Sequence, residues 1–445
     1  MAVAAPLADG DLHDTSKDSW WQWFKWIPTS NDKLVQAENK ILERCKCKLE
    51  KFFVPIFDST FYLRTIVARN YLTNAHENEC EKRVPILLIH GFASGVGLWC
   101  KNLDSLSKTR RVYAFDLLGF GRSSRPPFPE TAEEVENKFV EVIEEWRKRM
   151  DLDKFILLGH SMGGFLAASY ALSHPQSIVH LVLIDPWGFV GKDESFHKPP
   201  DGVRGWLLKK LTSFRALTTM RMIGPFGLHA MRSMRQDIEQ IYSEPALSSE
   251  ETSGLDRESL DDSMENPWSS GEAQLKIGKS KCDDIEKLSP YDPSVVYNYI
   301  YHINCRHPTG EDAFRNLSQM LGWAARPMLP RISQAATDLP ITFIYGGRSW
   351  IDMSSGLRIR TLRPNSYVDV MVIEGGGHYA YAQYAEDFNS YVNAIAGLVD
   401  IGHVFVPGSE ALVQKAVATP NHITDYLPSS EKSPISSPKV LSPSN

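Results

Sequence analysis

Four short stretches of this chain are apolar almost throughout: VPILLIHGF (84–92), RRVYAFDLLG (110–119), KFILLGHS (154–161) and IVHLVLIDPWG (178–188). Strands that read this way are covered on both faces, as in a parallel sheet packed between helices. The pattern resumes in LPITFIYGG (339–347) and SYVDVMVIEGGGH (366–378). Between these runs, TAEEVENKFVEVIEEWRKRM (131–150), GGFLAASYALSHP (163–175) and AEDFNSYVNAIAGLV (385–399) have helical periodicity. Strand, helix and strand in repetition predict an α/β fold, with a mostly parallel central sheet and helices on both faces.

Residues 191–335 interrupt the alternation. The helix-like runs at 203–223 and 313–332 predict a helical lid inserted between two parts of one core. Within it, residues 244–282 are acidic, Ser-rich and nearly without periodicity, which predicts a disordered insertion. The chain thus divides into an N-terminal segment (1–49), a first core part (50–190), the lid (191–335), a second core part (336–405) and a tail (406–445). Ser-Pro pairs end the tail, so disorder is expected there.

Composition narrows the function classes. The chain has 445 residues with 42% hydrophobic and 23% charged, as in a globular protein, and its net charge of -6 argues against nucleic-acid partners. Its six cysteines are scattered, and Cys45-Lys-Cys47 has no matching second pair, so neither a disulfide framework nor a zinc site is expected. No basic and apolar leader opens the sequence, and no window of 18 uninterrupted apolar residues occurs. The expectation is a cytoplasmic, non-secreted protein without metal or cofactor.

Gly159-His160-Ser161-Met162-Gly163 matches G-x-S-x-G between an apolar strand and a helical run. A sharp turn there exposes the serine hydroxyl, and the helix N-terminus behind it favours negative charge. Serine needs a base, and the base needs an orienting acid. His378 follows the last strand-like run and Asp352 the preceding one, in the chain order Ser, acid, His. The bland alternatives are a solvated loop histidine and a helix N-cap aspartate. The backbone amides of Phe92 and Met162 are candidates for an oxyanion hole.

Several longer motifs carry a family resemblance. They are LLGHSMGGFLAASYALSHP (157–175), LIDPWGF (183–189), DLLGFGRSSRP (116–126), IYHINCRHPTGEDAF (300–314), GWAARPMLPRI (322–332), IYGGRSWID (344–352) and GGGHYAYAQ (375–383). With them the chain resembles the α/β-hydrolase-domain subfamily that holds the adipose triglyceride lipase coactivator and the N-acyl phosphatidylethanolamine lysophospholipase. The resemblance covers about residues 50–400 and the N-terminal tryptophans. It implies a lipid-metabolising serine hydrolase with Ser161, Asp352 and His378 catalytic. Coactivator members resemble this chain but carry Asn at the nucleophile position, so Ser161 points to the lysophospholipase branch. Arg348 points to the coactivator branch, and Arg348 with Gly377 becomes a candidate surface for docking a triglyceride lipase. A solvated loop charge is the plain alternative for Arg348. The subfamily's acyltransferase signature, His-x4-Asp, reads here His378-x4-Gln383, which weakens a lysophosphatidic acid acyltransferase reading. His180-x4-Asp185 fits the same pattern along a strand, by coincidence.

Two features bear on membranes. Arg204, Lys209, Lys210, Arg215, Arg221, Arg232 and Arg235 fall in a stretch of the lid without acids, which suits an anionic lipid surface or a phosphate head group, or else a solvated helix face. Trp20, Trp21, Trp23, Phe24 and Trp26 crowd one short segment. Indole rings favour the lipid–water boundary, so a shallow anchor is expected, docking on the core being the alternative. The resemblance agrees, since coactivator members sit on lipid droplets through such a segment. The expected partners are a phospholipid or lysophospholipid substrate, a lipid-droplet or endoplasmic reticulum surface, and a triglyceride lipase.

Overall fold

A computed structural model describes residues 7–8, 29–69, 80–191, 217–243, 289–319 and 322–419. Its central sheet has nine strands: β1 (Leu7–Ala8), β2 (Lys48–Ile56), β3 (Phe61–Arg69), β4 (Ile86–Ile89), β5 (Val112–Phe115), β6 (Phe155–His160), β7 (Ile178–Ile184), β8 (Ile341–Gly346) and β9 (Val368–Ile373). Their order is β1-β2-β3-β5-β4-β6-β7-β8-β9. The three pairings from β1 to β5 are antiparallel, and the pairings from β5 through β9 are parallel.

The six continuous apolar runs are the parallel strands, and the core explains their lack of alternation. Leu87, Leu157, Leu183 and Phe343 point into one apolar cluster, while Leu88, Leu158, Val182 and Ile344 point into another. Successive residues of each strand therefore bury on opposite faces, and neither face can be polar. Helices α1 (Asn31–Leu42), α2 (Ala132–Arg149) and α3 (Met162–Ser173) follow in chain order. In α2, Val135, Phe139, Val142, Ile143 and Trp146 make the buried stripe, and Thr131 caps the start by accepting the Glu134 N–H at 3.3 Å. Helix α3 lies directly behind the Ser161 turn and is buried nearly all round.

The lid supplies α4 (Gly227–Met234), α5 (Gln236–Ser243), α6 (Pro293–Asn304) and α7 (Thr309–Leu317), and the second core part α8 (Ser354–Leu362) and α9 (Ala385–Asp400). The helix expected across 313–332 stops at Leu317. Gly322 takes φ +95°, and Ser318–Gln319 pairs with Trp323–Ala324 as a short antiparallel ribbon. The disorder expected from 406 is also corrected, because helix α10 (Glu410–Ala418) buries Val413 and Ala416 in the core. The acidic insertion, the Trp20–Trp26 segment and residues 420–445 lie outside the described residues.

The order β5-β4-β6 reverses the direction of strand addition between β4 and β6. Open α/β sheets place sites at the carboxyl ends of strands beside such a reversal. The loop after β4 carries Phe92, and the turn after β6 carries Ser161.

Candidate active site

Ser161 occupies that turn with φ +54°, a conformation a β-carbon tolerates poorly. The surroundings hold it there. Its N–H donates to the Ile184 carbonyl at 2.9 Å, and its carbonyl accepts from Gly164 at 2.9 Å and Trp187 at 3.1 Å. Gly163 is required by close approach, since a β-carbon there would lie 2.4 Å from the His90 carbonyl oxygen and 2.5 Å from that of Ile89.

The structure brings Ser161 and His378 together across 217 residues of sequence, with Nε2 of His378 3.1 Å from Ser161 Oγ. The loop bearing His378 is fixed at several points. Gln383 Oε1 accepts the Gly377 N–H at 2.9 Å, and His160 Nε2 donates to the His378 carbonyl at 2.8 Å. A β-carbon on Gly346 would lie 2.3 Å from the Gly377 carbonyl oxygen, so the loops after β8 and β9 can meet only with glycine there. Burial, then the nearby His160 and Arg235, hold the His378 imidazole well below its ordinary pKa, so it stands neutral. Burial also pushes His90 and His160 down to about 4, and both remain neutral at physiological pH. His90 lies in VPILLIHGF and His160 in G-x-S-x-G, but neither pattern assigns a role to the histidine.

Asp352 does not join this pair. It is solvent-exposed, and its carboxylate accepts the Ser354 N–H at 2.9 Å together with the Ser354 hydroxyl at the start of α8. The expected catalytic acid is thus corrected to a turn just ahead of α8, one residue before the cap position, which Met353 occupies. Hydrogen bonds from Ser354 hold its pKa below the usual carboxylate value. His378 Nδ1 instead faces Ser349 Oγ at 3.4 Å.

Both residues expected to hold the oxyanion lie beside the Ser161 turn. Met162 is the first residue of α3, where an N–H has no intrahelical acceptor. The Phe92 loop touches Ser161, since a β-carbon on Gly91 would lie 3.0 Å from Ser161 Cβ. Arg348 is exposed, and its N–H donates to the Gly376 carbonyl at 2.8 Å, which sets it beside Gly377.

In the lid, Arg221 pairs with Glu311 and Arg235 with Asp237 at 2.7 Å. The basic stretch is therefore partly neutralised, by an acid from α7 and one just beyond its own end. Arg204, Lys209, Lys210 and Arg215 lie outside the described residues. Cys45, Cys47 and Asp104 have donor atoms within 4.8 Å of one another. The Asp104 carboxylate is occupied by the N–H groups of Lys46 and Cys47, and hydrogen bonding to Cys47 and burial keep the Cys45 thiol protonated. No helix among the described residues is long and apolar enough to cross a membrane.

The α/β-hydrolase fold model matches residues 84–385. This chain belongs to the α/β-hydrolase fold family. Among its relatives, the Sus scrofa protein named 1-acylglycerol-3-phosphate O-acyltransferase ABHD5 is 40% identical over 404 residues, covering 89% of this chain and all of that protein. The Homo sapiens (lyso)-N-acylphosphatidylethanolamine lipase is 35% identical over 375 residues, covering 84% and 94%. Among solved structures, a bacterial membrane phospholipase A aligns with TM-score 0.50 at 18% identity over 81% of this chain and 89% of its own. That likeness concerns the fold. In this α/β-hydrolase-fold chain Ser161 and His378 are in contact, held by His160 and by glycine contacts.

Proposed function

We propose that this α/β-hydrolase is a serine hydrolase of lipid carboxylic esters, of lysophospholipase type, working peripherally at lipid droplets or endoplasmic reticulum. The observation that carries the reading is the 3.1 Å contact between Ser161 Oγ and a neutral His378 Nε2. Ser161 Oγ attacks the ester carbonyl carbon as its proton passes to Nε2, and the Phe92 and Met162 amides receive the developing oxyanion. The tetrahedral adduct expels the alcohol, which leaves with the proton from Nε2. Water then attacks the acyl-enzyme by the same route and frees the fatty acid.

A cavity of about 450 Å³ beside the site supports an acyl substrate. Trp187, Phe189, Val190, Trp323, Trp350 and Ile351 line it. The Trp350 ring is 68% exposed and its centroid lies 5.0 Å from that of His378, so an apolar surface reaches the reacting atoms. The relatives' names, a lipase of N-acyl phosphatidylethanolamines and an acyltransferase of acylglycerol phosphate, both concern lipid acyl groups. The test is fluorophosphonate labelling and lysophospholipid hydrolysis by the full chain beside Ser161→Ala. Labelling and turnover lost only in the variant support the reading, and an unlabelled wild type rejects it.

A second reading rests on Arg348, exposed on the loop against Gly376 and next to Gly377. That surface suits docking to a triglyceride lipase, for which hydrolysis is unnecessary. It expects Ser161→Ala to stimulate the lipase normally and Arg348→Asn to fail. Acyl transfer from acyl-CoA to lysophosphatidic acid is the weakest reading, because Gln383 replaces the carboxylate and is engaged with the Gly377 amide. An assay with and without acyl-CoA decides it.

A further inference from the structure

A second cavity, of about 470 Å³, opens where distant parts of the chain meet. Residues 29–31 at the start of α1 form one wall, the loop after β5 another, and the loop between α6 and α7 a third. Arg122, Arg125, Arg306 and His307 line it with Ser30 and Ser124, and no carboxylate is among its lining residues. It shares no lining residue with the cavity beside Ser161.

Positive charge is in excess behind this wall. Arg122 Nη1 shares Glu38 Oε1 with Arg64 Nη2, at 2.8 and 2.6 Å, and Asp116 accepts only the Arg122 backbone N–H on this side. Arg125 Nη1 donates to the Gly119 and His307 carbonyls at 2.9 and 2.7 Å, and Nη2 to those of Gly121 and Ile303 at 2.9 Å. Those acceptors fix the guanidinium but carry no formal charge, and its Nε is buried without a hydrogen-bond partner. Glu38 and Asp116 thus face the three charges of Arg64, Arg122 and Arg125. The bonds to Ile303 and His307 also hold Arg125 against the segment that bears Arg306. Burial, then the Arg306 charge, push the Arg125 guanidinium down to about 9, with Asp116 opposing and Arg221 adding to the effect. It stays charged at neutral pH, so like charges are crowded here and a bound anion would relieve them.

Hydroxyl donors complete the set. Ser30 Oγ accepts the Lys33 N–H at 3.2 Å, and Ser124 Oγ accepts the Tyr62 N–H at 2.9 Å, so each keeps its own proton to donate. Arg306 Nη1 donates to Asn31 Oδ1 at 3.2 Å, which steadies that guanidinium beside the first turn of α1. The first amides of α1 add partial positive charge to a site the arginines already define. Guanidinium groups and hydroxyls together suit a phosphate, which takes several charge-assisted bonds at once. We propose that this cavity binds a phosphate monoester, either as the head group of an anionic lipid or as a soluble phosphate compound. Thr29, in its wall, stands three residues after Trp26, so a lipid head group held here would lie where the tryptophan segment joins the body. The site is independent of the chemistry at Ser161.

The experiment uses the full-length chain as wild type, Arg306→Gln, Arg125→Gln and Arg315→Gln, the last removing an exposed charge on α7 outside the cavity. Melting temperature is read in inorganic phosphate against chloride at equal ionic strength. Binding is read on phosphatidylcholine vesicles holding phosphatidic acid, a monoester, against vesicles of equal surface charge holding phosphatidylglycerol, a diester. Phosphate should raise the melting temperature of wild type and Arg315→Gln in a saturable way. Arg306→Gln should need about 10- to 100-fold more phosphate for the same rise. Arg125→Gln should lose the rise, and if it fails to fold, Arg306→Gln decides. A preference for phosphatidic acid that Arg306→Gln erases assigns the cavity to a lipid head group. A rise in phosphate without that preference assigns it to a soluble phosphate. Neither effect in wild type, or effects that Arg306→Gln leaves unchanged or Arg315→Gln weakens as much, overturns the proposal.

Discussion

His160 Nε2 donates to the backbone carbonyl of His378 at 2.8 Å, so the residue before Ser161 holds the loop of His378. The bond joins two strand ends that are not neighbours in sequence. Its donor nitrogen must carry the only ring proton, because burial keeps His160 neutral and its Nδ1 is buried without a partner. His160→Ala frees the His378 loop without touching the Ser161 side chain. Misplacement of a reacting group by about 1 Å costs on the order of 10²-fold, so kcat should fall by about 10- to 100-fold with KM little changed. Steady-state kinetics on a soluble ester checks this, and an unaltered kcat would show that the bond does not position the base.

The reach and limits of the sequence can be traced to particular residues. The parallel strands were legible because Leu87 and Leu88, or Leu157 and Leu158, bury on opposite faces and so leave no polar position between them. The β2–β3 hairpin gave no such signal. Its buried Arg64 reads as a surface residue until Glu38, 26 residues away, is seen to neutralise it. The helix entering the ribbon at 318–324 carried an apolar pattern past Leu317, and only the Gly322 backbone shows where it stops. Ser161 and His378 were legible from motif and chain order. The acid was not, because Asp352 fits the chain order Ser, acid, His, and its exposure and its bonds to Ser354 are invisible in one dimension.

Asp352 predicts a stability effect in place of a catalytic one. Its carboxylate satisfies the Ser354 amide and hydroxyl at the entrance to α8. Removing such a contact costs on the order of 0.5–1 kcal/mol. Since the folded carboxyl is held below its ordinary pKa, this stability is present above about pH 4 and is lost as pH falls through the lower folded value. Asp352→Ala should therefore unfold at lower urea than wild type at pH 7, and the gap should close toward pH 3. A gap that widens on acidification would contradict the assignment.

Asp185 predicts the opposite sign. Its folded pKa is raised to about 8, so the folded state holds a proton that the unfolded chain releases near 4. Between those values stability falls as pH rises. Asp185→Asn removes the ionisable group and keeps the shape. Its melting temperature relative to wild type should thus increase from pH 5 to about pH 8 and level off above it. A pH-independent difference would show that the Asp185 carboxyl is not held above its ordinary range.

Glu38 offers the clearest purely structural prediction, and it connects the first helix to the site. Its Oε1 accepts from Arg64 Nε at 2.9 Å, Arg64 Nη2 at 2.6 Å and Arg122 Nη1 at 2.8 Å, and the Glu38 and Arg64 side chains are fully buried. Arg64 belongs to β3, and Arg122 lies on the loop after β5, where its N–H also donates to Asp116 at 2.7 Å. One carboxylate therefore ties α1, the antiparallel hairpin and a loop at the carboxyl edge of the sheet. Losing one partner of a buried ion pair strands the other charge, at a cost of about 3–5 kcal/mol. Glu38→Ala should be destabilised by about that much in urea unfolding. Glu38→Gln should also be destabilised, because an amide keeps the volume and supplies no charge. If both variants unfold like wild type, the guanidinium groups find their counter-charge elsewhere, and α1 is held by its apolar stripe of Leu34, Ala37 and Ile41 alone.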